Sequence, residues 1–288
     1  VIGDVHFPNG RMNPRLSFDK FIVPTKPYLL TTGDIIQPYS PIAYAFYNFC
    51  AKNWEKTYVM MGNQEYESHL DEFNYTMDQQ FELMKQLIDC INQEMGSEKL
   101  VFIQNTFIDI PEKSLRIIGL TLWANETKLS ILKRDPPMHS VFGNIVLGND
   151  SYSVMLPSYA HGGHCTPFKS WIPKEKETQP ICYESITKED LADLQKKDNE
   201  FLVRMIEETN QKQFKLLVCS HYIPTLCIKK ESPIFEDEND FSYDFFCRDV
   251  SDLIRSPIVA WVCGHVHLEQ TIKVNDIPIY VNVPSITV

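Results

Sequence analysis

The chain lacks a glycine-rich phosphate loop, a serine nucleophile elbow, a CxxC pair and any apolar run of membrane length. Each absence excludes a class. Dinucleotide and P-loop chemistry needs glycines at fixed spacing ahead of a helix, and an α/β-hydrolase needs its serine on a sharp strand-to-helix turn. A spanning helix needs about 20 consecutive apolar residues, and zinc knuckles or dithiol redox sites need closely spaced cysteines. Basic residues are also few, 27 Lys and Arg against 38 Asp and Glu, for a formal charge of -11. That balance argues against a long nucleic acid held on a broad basic surface. It leaves a phosphate-bearing substrate open, because divalent ions would reverse the charge locally.

Hydrophobic residues make up 43% of the 288 and charged residues 23%, a globular composition with enough chain to bury a large core. Cys219 and Cys263 stand inside apolar runs and read as buried thiols. A reducing cytosol is therefore the expected compartment, with secretion left open. No leader is present, but Val1-Ile2-Gly3-Asp4 reads as the end of a strand, so the missing leader decides nothing. The sequons at Asn74, Asn125 and Asn149 would matter only in a secreted protein.

What is present is a rhythm of apolar strand, polar loop and helix. Tyr28 to Thr32 runs into Gly33-Asp34; Ser40-Pro41 then supplies an N-cap and a first-turn proline, with Ile42, Phe46 and Phe49 along one helical face. Thr57 to Met61 runs into Gly62-Asn63-Gln64-Glu65, and a long helix is expected from Asp78 to Glu94, with Gly96 beyond its end. Arg116 to Leu120 is a further strand. A capping box at Thr187 and Asp190 opens a helix bearing Leu191, Leu194, Phe201, Leu202, Met205 and Ile206. Lys215 to Cys219 and Ile258 to Val262 are buried strands; Asn275-Asp276 is a hairpin turn between Thr271–Val274 and Ile277–Val281. The whole chain is read as one domain, 1–288, with insertions that choose the substrate at about 125–178 and 228–246.

Metal-ligand side chains directly follow these apolar runs: Asp4 and His6, Asp34, Asn63, His221, then His265 and His267. These oxygen and nitrogen donors, two of them carboxylates, exceed the needs of one tetrahedral ion and suit two neighbouring divalent ions. Asp34 could offer one oxygen to each ion, whereas histidine offers one lone pair and asparagine an uncharged carbonyl. Taken alone, Asp4 with His6 is weak, since such pairs arise often by chance. The ordered set is not.

In that order, Asp4-Val5-His6, Gly33-Asp34, Gly62-Asn63-Gln64-Glu65, His221 and Gly264-His265-Val266-His267, the chain resembles the calcineurin-like metallophosphoesterase superfamily. The resemblance spans residues 3 to 267. Trp123 and Asn282 also look like features of small members. It implies a four-layer α/β/β/α sandwich with a dinuclear centre of manganese, iron or zinc at the sheet edge. It further implies that Asp4, His6, Asp34 and His267 hold one ion and that Asp34, Asn63, His221 and His265 hold the other, Asp34 bridging both. The expected reaction is hydrolysis of a phosphoric mono- or diester by a hydroxide held between the two ions, attacking phosphorus in line.

Gln64 departs from this pattern, because members usually carry histidine directly after the ligand asparagine. Glutamine can donate a hydrogen bond to phosphate but supplies no proton at neutral pH. Either the leaving group is a stable one, or another residue substitutes, His161 and His164 being the nearest candidates in sequence character. Asp34 and Gln64 with these two histidines form the expected catalytic set. Glu65 reads as a support for Asn63 or its turn, and Trp123 as either a mouth residue or core filler. A small organic phosphate or a nucleotide is the expected substrate, with a phosphoprotein left open. The rival reading is a weak or inactive metal-bound scaffold that binds a protein partner.

Overall fold

The computed structural model describes residues 1–5, 7, 18–20, 22–66, 77–124, 188–228, 246–266 and 269–282. The expected insertion at 125–178 lies outside them, and so does that at 228–246, with its acidic stretch 231–240, apart from its end residues Ile228 and Phe246.

Three helices are described: α1 (Pro41–Asn53), α2 (Met77–Met95) and α3 (Lys188–Gln211). Strands β1 (Tyr28–Leu30), β2 (Lys56–Val59) and β3 (Leu100–Phe102) form a parallel sheet in that order. A second sheet has the order β4-β5-β6-β7-β9-β8, from β4 (Thr106–Ile110), β5 (Leu115–Leu120), β6 (Lys215–Ser220), β7 (Ile258–Cys263), β8 (Gln270–Val274) and β9 (Ile277–Val281). Its interior pairings are parallel and both edge strands run antiparallel. The β8–β9 turn places Asn275 at φ 50° and Asp276 at φ 63°, the pair of positive φ values that a tight hairpin of the expected kind needs.

Alternation along the strands builds the layers. Leu30 and Tyr58 of the first sheet, with Met60 just beyond β2, share one apolar cluster with Leu115, Ile117, Leu217, Cys219, Ala260 and Val262 of the second. This is the seam between the sheets. The intervening residues, Leu29 and Val59 in one sheet and Ile118, Leu120, Leu216, Val218 and Trp261 in the other, face outward into apolar packing with the helices. Helices α1 and α2 pack on the first sheet, and α3 packs on β5 and β6. The result is the expected α/β/β/α sandwich. Phe46 and Trp261 are wholly buried in its outer layers, and truncating either to alanine should cost about 3–5 kcal/mol.

Local chemistry accounts for the element boundaries. Ser40 Oγ accepts the Ile42 N–H at the start of α1, with Pro41 in the first turn. Gly96 follows α2 at φ 64°, a left-handed C-terminal stop. Thr57 to Met61 was expected to be strand throughout, but the ladder ends at Val59. Beyond it the Met60 N–H donates to Thr31 Oγ1 at 3.2 Å and the Met61 N–H to Gln104 Oε1 at 3.1 Å. Side chains replace the partner strand there, which frees the next residues to turn.

Candidate metal centre

The candidate ligands leave the sheets at the carboxyl ends of strands, where side chains extend past the last ladder bond. Asp4 follows a bridge between Ile2 and Thr31, Asp34 follows β1, Asn63 follows β2, His221 follows β6 and His265 follows β7. Asp4 and Asp34 both sit at φ 53° and His265 at φ 73°. Such left-handed backbone costs a non-glycine residue of order 1–3 kcal/mol and persists only where its surroundings over-determine it.

Cross-loop hydrogen bonds do so here. The Asp4 N–H donates to Gly33 O at 3.1 Å and the Gly264 N–H to His221 O at 3.0 Å. The His265 N–H lies 2.9 and 2.8 Å from the two carboxylate oxygens of Asp4. Trp261 Nε1 donates to Ser220 Oγ at 2.8 Å, and that hydroxyl donates to Tyr222 O at 2.6 Å, which fixes the turn carrying His221.

Glu65 makes the densest of these clamps. Its carboxylate accepts the N–H groups of Asp34 at 2.8 Å, Ile35 at 2.7 Å, Ile36 at 3.4 Å and Gly62 at 2.7 Å. One wholly buried acid thus joins the loop after β1 to the loop after β2. Burial and the nearby charge of Asp34 push its carboxyl above the ordinary range, and the N–H bonds offset only part of that.

One donor atom from each of Asp4, Asp34, His221 and His265 lies within 4.8 Å of all the others. His221 is the centre of the group. Its Nδ1 is 2.9 Å from Thr32 O, and a carbonyl only accepts, so Nδ1 carries the hydrogen. The lone pair of a neutral ring then sits on Nε2, which faces Asn63 Oδ1 at 2.8 Å, His265 Nδ1 at 2.9 Å and Asp34 Oδ1 at 3.4 Å. A neutral ring would set that lone pair against the acceptor oxygens of Asn63 and Asp34, a repulsion that a cation or a proton between them removes. Burial disfavours charge on His221, yet the charge and hydrogen bond of Asp34, with Asp4 and the Thr32 carbonyl, raise its pKa to about 9. Asp34 moves the opposite way: burial opposes its ionisation, and the attraction of His221 and His265 outweighs it. The donor chemistry fits a divalent cation of the zinc, manganese or iron type.

Space at the centre is tight. A Cβ on Gly62 would stand 2.2 Å from Asp34 Oδ1 and 2.7 Å from His221 Nδ1, and one on Gly264 would stand 2.6 Å from Asp4 Oδ2. Backbone without side chain is what lets these loops close on the ligands. A cavity of about 1180 Å³ opens elsewhere, between the sheets at Val1, Tyr28, Tyr58, Ile117 and Leu217. Asp4, Asp34, His221 and His265 are not among its lining residues.

The structure therefore brings together Asp4, Asp34, Asn63, His221 and His265. His6, His267, His161 and His164 lie outside the described residues. The half-buried Gln64 adjoins the group: its N–H donates to Asp34 Oδ1 at 3.0 Å and its carbonyl accepts Gln37 Nε2 at 3.1 Å. Trp123 is 3% exposed and packs in the interior, between the rings of Tyr66 and Tyr222 at 5.8 and 5.9 Å. Sequence reasoning passed over Thr32, Tyr222 and Asp198. Asp198 could have been noticed as an acid on the apolar face of α3, three residues before Phe201.

No protein-family model matches the chain. Protein L509 of Acanthamoeba polyphaga mimivirus is 20% identical over 263 residues, 88% of this chain and 77% of that protein. Among solved structures, the phosphopantetheinyl hydrolase of Mycobacterium tuberculosis aligns with a TM-score of 0.57 at 15% identity, covering 97% of this chain and 86% of that one. The chain folds like that hydrolase. At such identity the likeness carries the architecture alone, and residue roles rest on the geometry above. No helix among the described residues is long and apolar enough to cross a membrane.

Proposed function

We propose that the chain is a metal-dependent hydrolase of phosphoric esters, acting on a small phosphorylated molecule or a nucleotide. The observation that carries this reading is His221 Nε2, set 2.8 Å from Asn63 Oδ1, 2.9 Å from His265 Nδ1 and 3.4 Å from Asp34 Oδ1. Asp34 would bridge two cations, Asp4 with His6 and His267 completing one set of ligands and Asn63, His221 and His265 the other. Bound divalent ions would supply positive charge for phosphoryl oxygens and acidify water. The protein's own part is to fix those donors through Glu65, the Asp4–His265 bond and the Ser220 turn, so that little reorganisation accompanies reaction.

Gln64 stands where a proton donor would otherwise be expected. Its amide can hold a phosphate oxygen but cannot protonate a departing alkoxide, so the reading favours esters whose leaving group departs without help. The same residue motivates the scaffold alternative. Purified protein loaded with Mn²⁺, Zn²⁺ or Fe²⁺ and assayed on monoesters, diesters, nucleotides and phosphopantetheinyl esters separates the two. Metal-dependent turnover is expected; bound metal with no turnover across the panel would favour the scaffold.

A further inference from the structure

Asp198 is 3% exposed and lies on the apolar side of α3, where a carboxylate is costly without a task. Its Oδ2 accepts the Trp123 N–H at 3.1 Å. On the same helix, Gln195 Nε2 donates to Ala124 O, so two residues one turn apart grip consecutive residues of the segment leaving β5. The residue before them, Leu122, is at φ 58°, a conformation leucine holds only under constraint. Arg248 completes the junction. Its Nη2 donates to Gln195 O at 2.7 Å, and its charge favours the ionised form of Asp198.

The position of Trp123 gives this grip a purpose. Its ring lies 5.8 Å from Tyr66, three residues beyond Asn63, and 5.9 Å from Tyr222, the residue after His221. The Tyr222 ring in turn is 4.3 Å from His265 and 5.4 Å from His221. Trp123 is thus the spacer between the turn that carries Asn63 and the turn that carries His221, whose donor atoms stand 2.8 Å apart. A spacer between ligand loops sets how closely their donors approach, and hence how well they hold an ion.

We propose that Asp198 is a positioning residue of the metal centre, holding Trp123 so that the Asn63 and His221 donors are spaced for a cation. It touches no ligand itself. The proposal rests on the metallohydrolase reading, and its test does not require turnover. Co²⁺ binding, followed by titration and by the visible ligand-field bands, is compared in wild type, Asp198→Ala and Asp198→Asn. Asp198→Ala should bind Co²⁺ about tenfold more weakly, at the low end of the cost of losing an outer-shell partner, with shifted bands. Asp198→Asn keeps an oxygen for the Trp123 N–H and should stay within about threefold of wild type, a rescue that general destabilisation would not give. Should Asp198→Ala not fold, Trp123→Leu keeps the hydrogen bond but removes the spacer, and should weaken Co²⁺ binding likewise. Wild-type affinity and bands in Asp198→Ala or Trp123→Leu, or an Asp198→Asn as weak as Asp198→Ala, would overturn the proposal. A wild type that binds no Co²⁺ would instead remove the metallohydrolase reading beneath it.

Discussion

His221 Nε2 lies 2.9 Å from His265 Nδ1, and the opposite nitrogen of His221 is committed to the Thr32 carbonyl. A proton and a metal ion therefore compete for one position. In metal-free protein His221 holds the proton up to about pH 9, so metal uptake must expel it. Affinity should rise about tenfold per pH unit from pH 7 towards 9, with close to one proton released per ion at that site. Titration calorimetry in buffers of different ionisation enthalpy reads this directly, and pH-independent affinity would count against the geometry.

Asp34→Asn removes the charge that offsets His221 and the second oxygen needed to bridge. Metal stoichiometry and kcat/KM should fall together, the latter by at least the roughly 10- to 100-fold typical of lesser losses around a metal. Metal analysis beside steady-state kinetics checks it. Unchanged stoichiometry would mean that Asp34 holds no ion.

Glu65→Gln keeps the shape but turns an NH₂ group towards backbone N–H donors. With four N–H contacts on the carboxylate, the change should destabilise by about 1–3 kcal/mol and weaken metal binding by roughly 10-fold or more. Denaturant unfolding of the metal-free protein and metal titration of the folded protein measure the two separately.

These first residues show how far the sequence could be read. Asp4, Asp34, Asn63, His221 and His265 stood out because each follows an apolar run, and strands of a parallel sheet deliver their ends to one edge whatever lies between. β3 and β4 escaped notice for the complementary reason. β3 is three residues long and β4 is an edge strand exposed at its start, so neither repeats a pattern long enough to detect. The roles of Thr32 and Trp123 depend on which loops meet across the sandwich, and no local period encodes that. Glu65 was legible as a support, but its four bonds to two separate loops were not.

Gln64→His should restore a proton donor. The gain is expected for poor leaving groups, up to the roughly 10²- to 10⁴-fold that general acid help supplies, and should be small for activated aryl phosphates. A plot of rate against leaving-group pKa should flatten in the variant. Equal acceleration at every leaving group would reject the missing-acid reading.

Two acids make stability depend on pH in opposite senses. Burial, opposed by the Trp123 N–H and by Arg248, raises Asp198 to about 6, so its contribution is complete below about pH 4 and lost as pH rises through 6. Hydrogen bonds from Arg116 and Lys212 with their charges lower Asp109 to about 2; its contribution is present above about pH 4 and lost as pH falls towards 2. In metal-free protein, Asp198→Asn should therefore lose less stability than wild type between pH 4 and 7, by on the order of 1–3 kcal/mol. Parallel unfolding midpoints across that range would contradict the assignment.

Asp4 and the backbone of His265 are joined directly although 261 positions separate them. An ion seated between those two segments would act as a clasp, stabilising the folded arrangement by mass action over an unfolded chain that has no such site. Chelation should then loosen the loops that carry Asp4 and His265 before the inter-sheet seam gives way, so that local opening there reports departure of the metal.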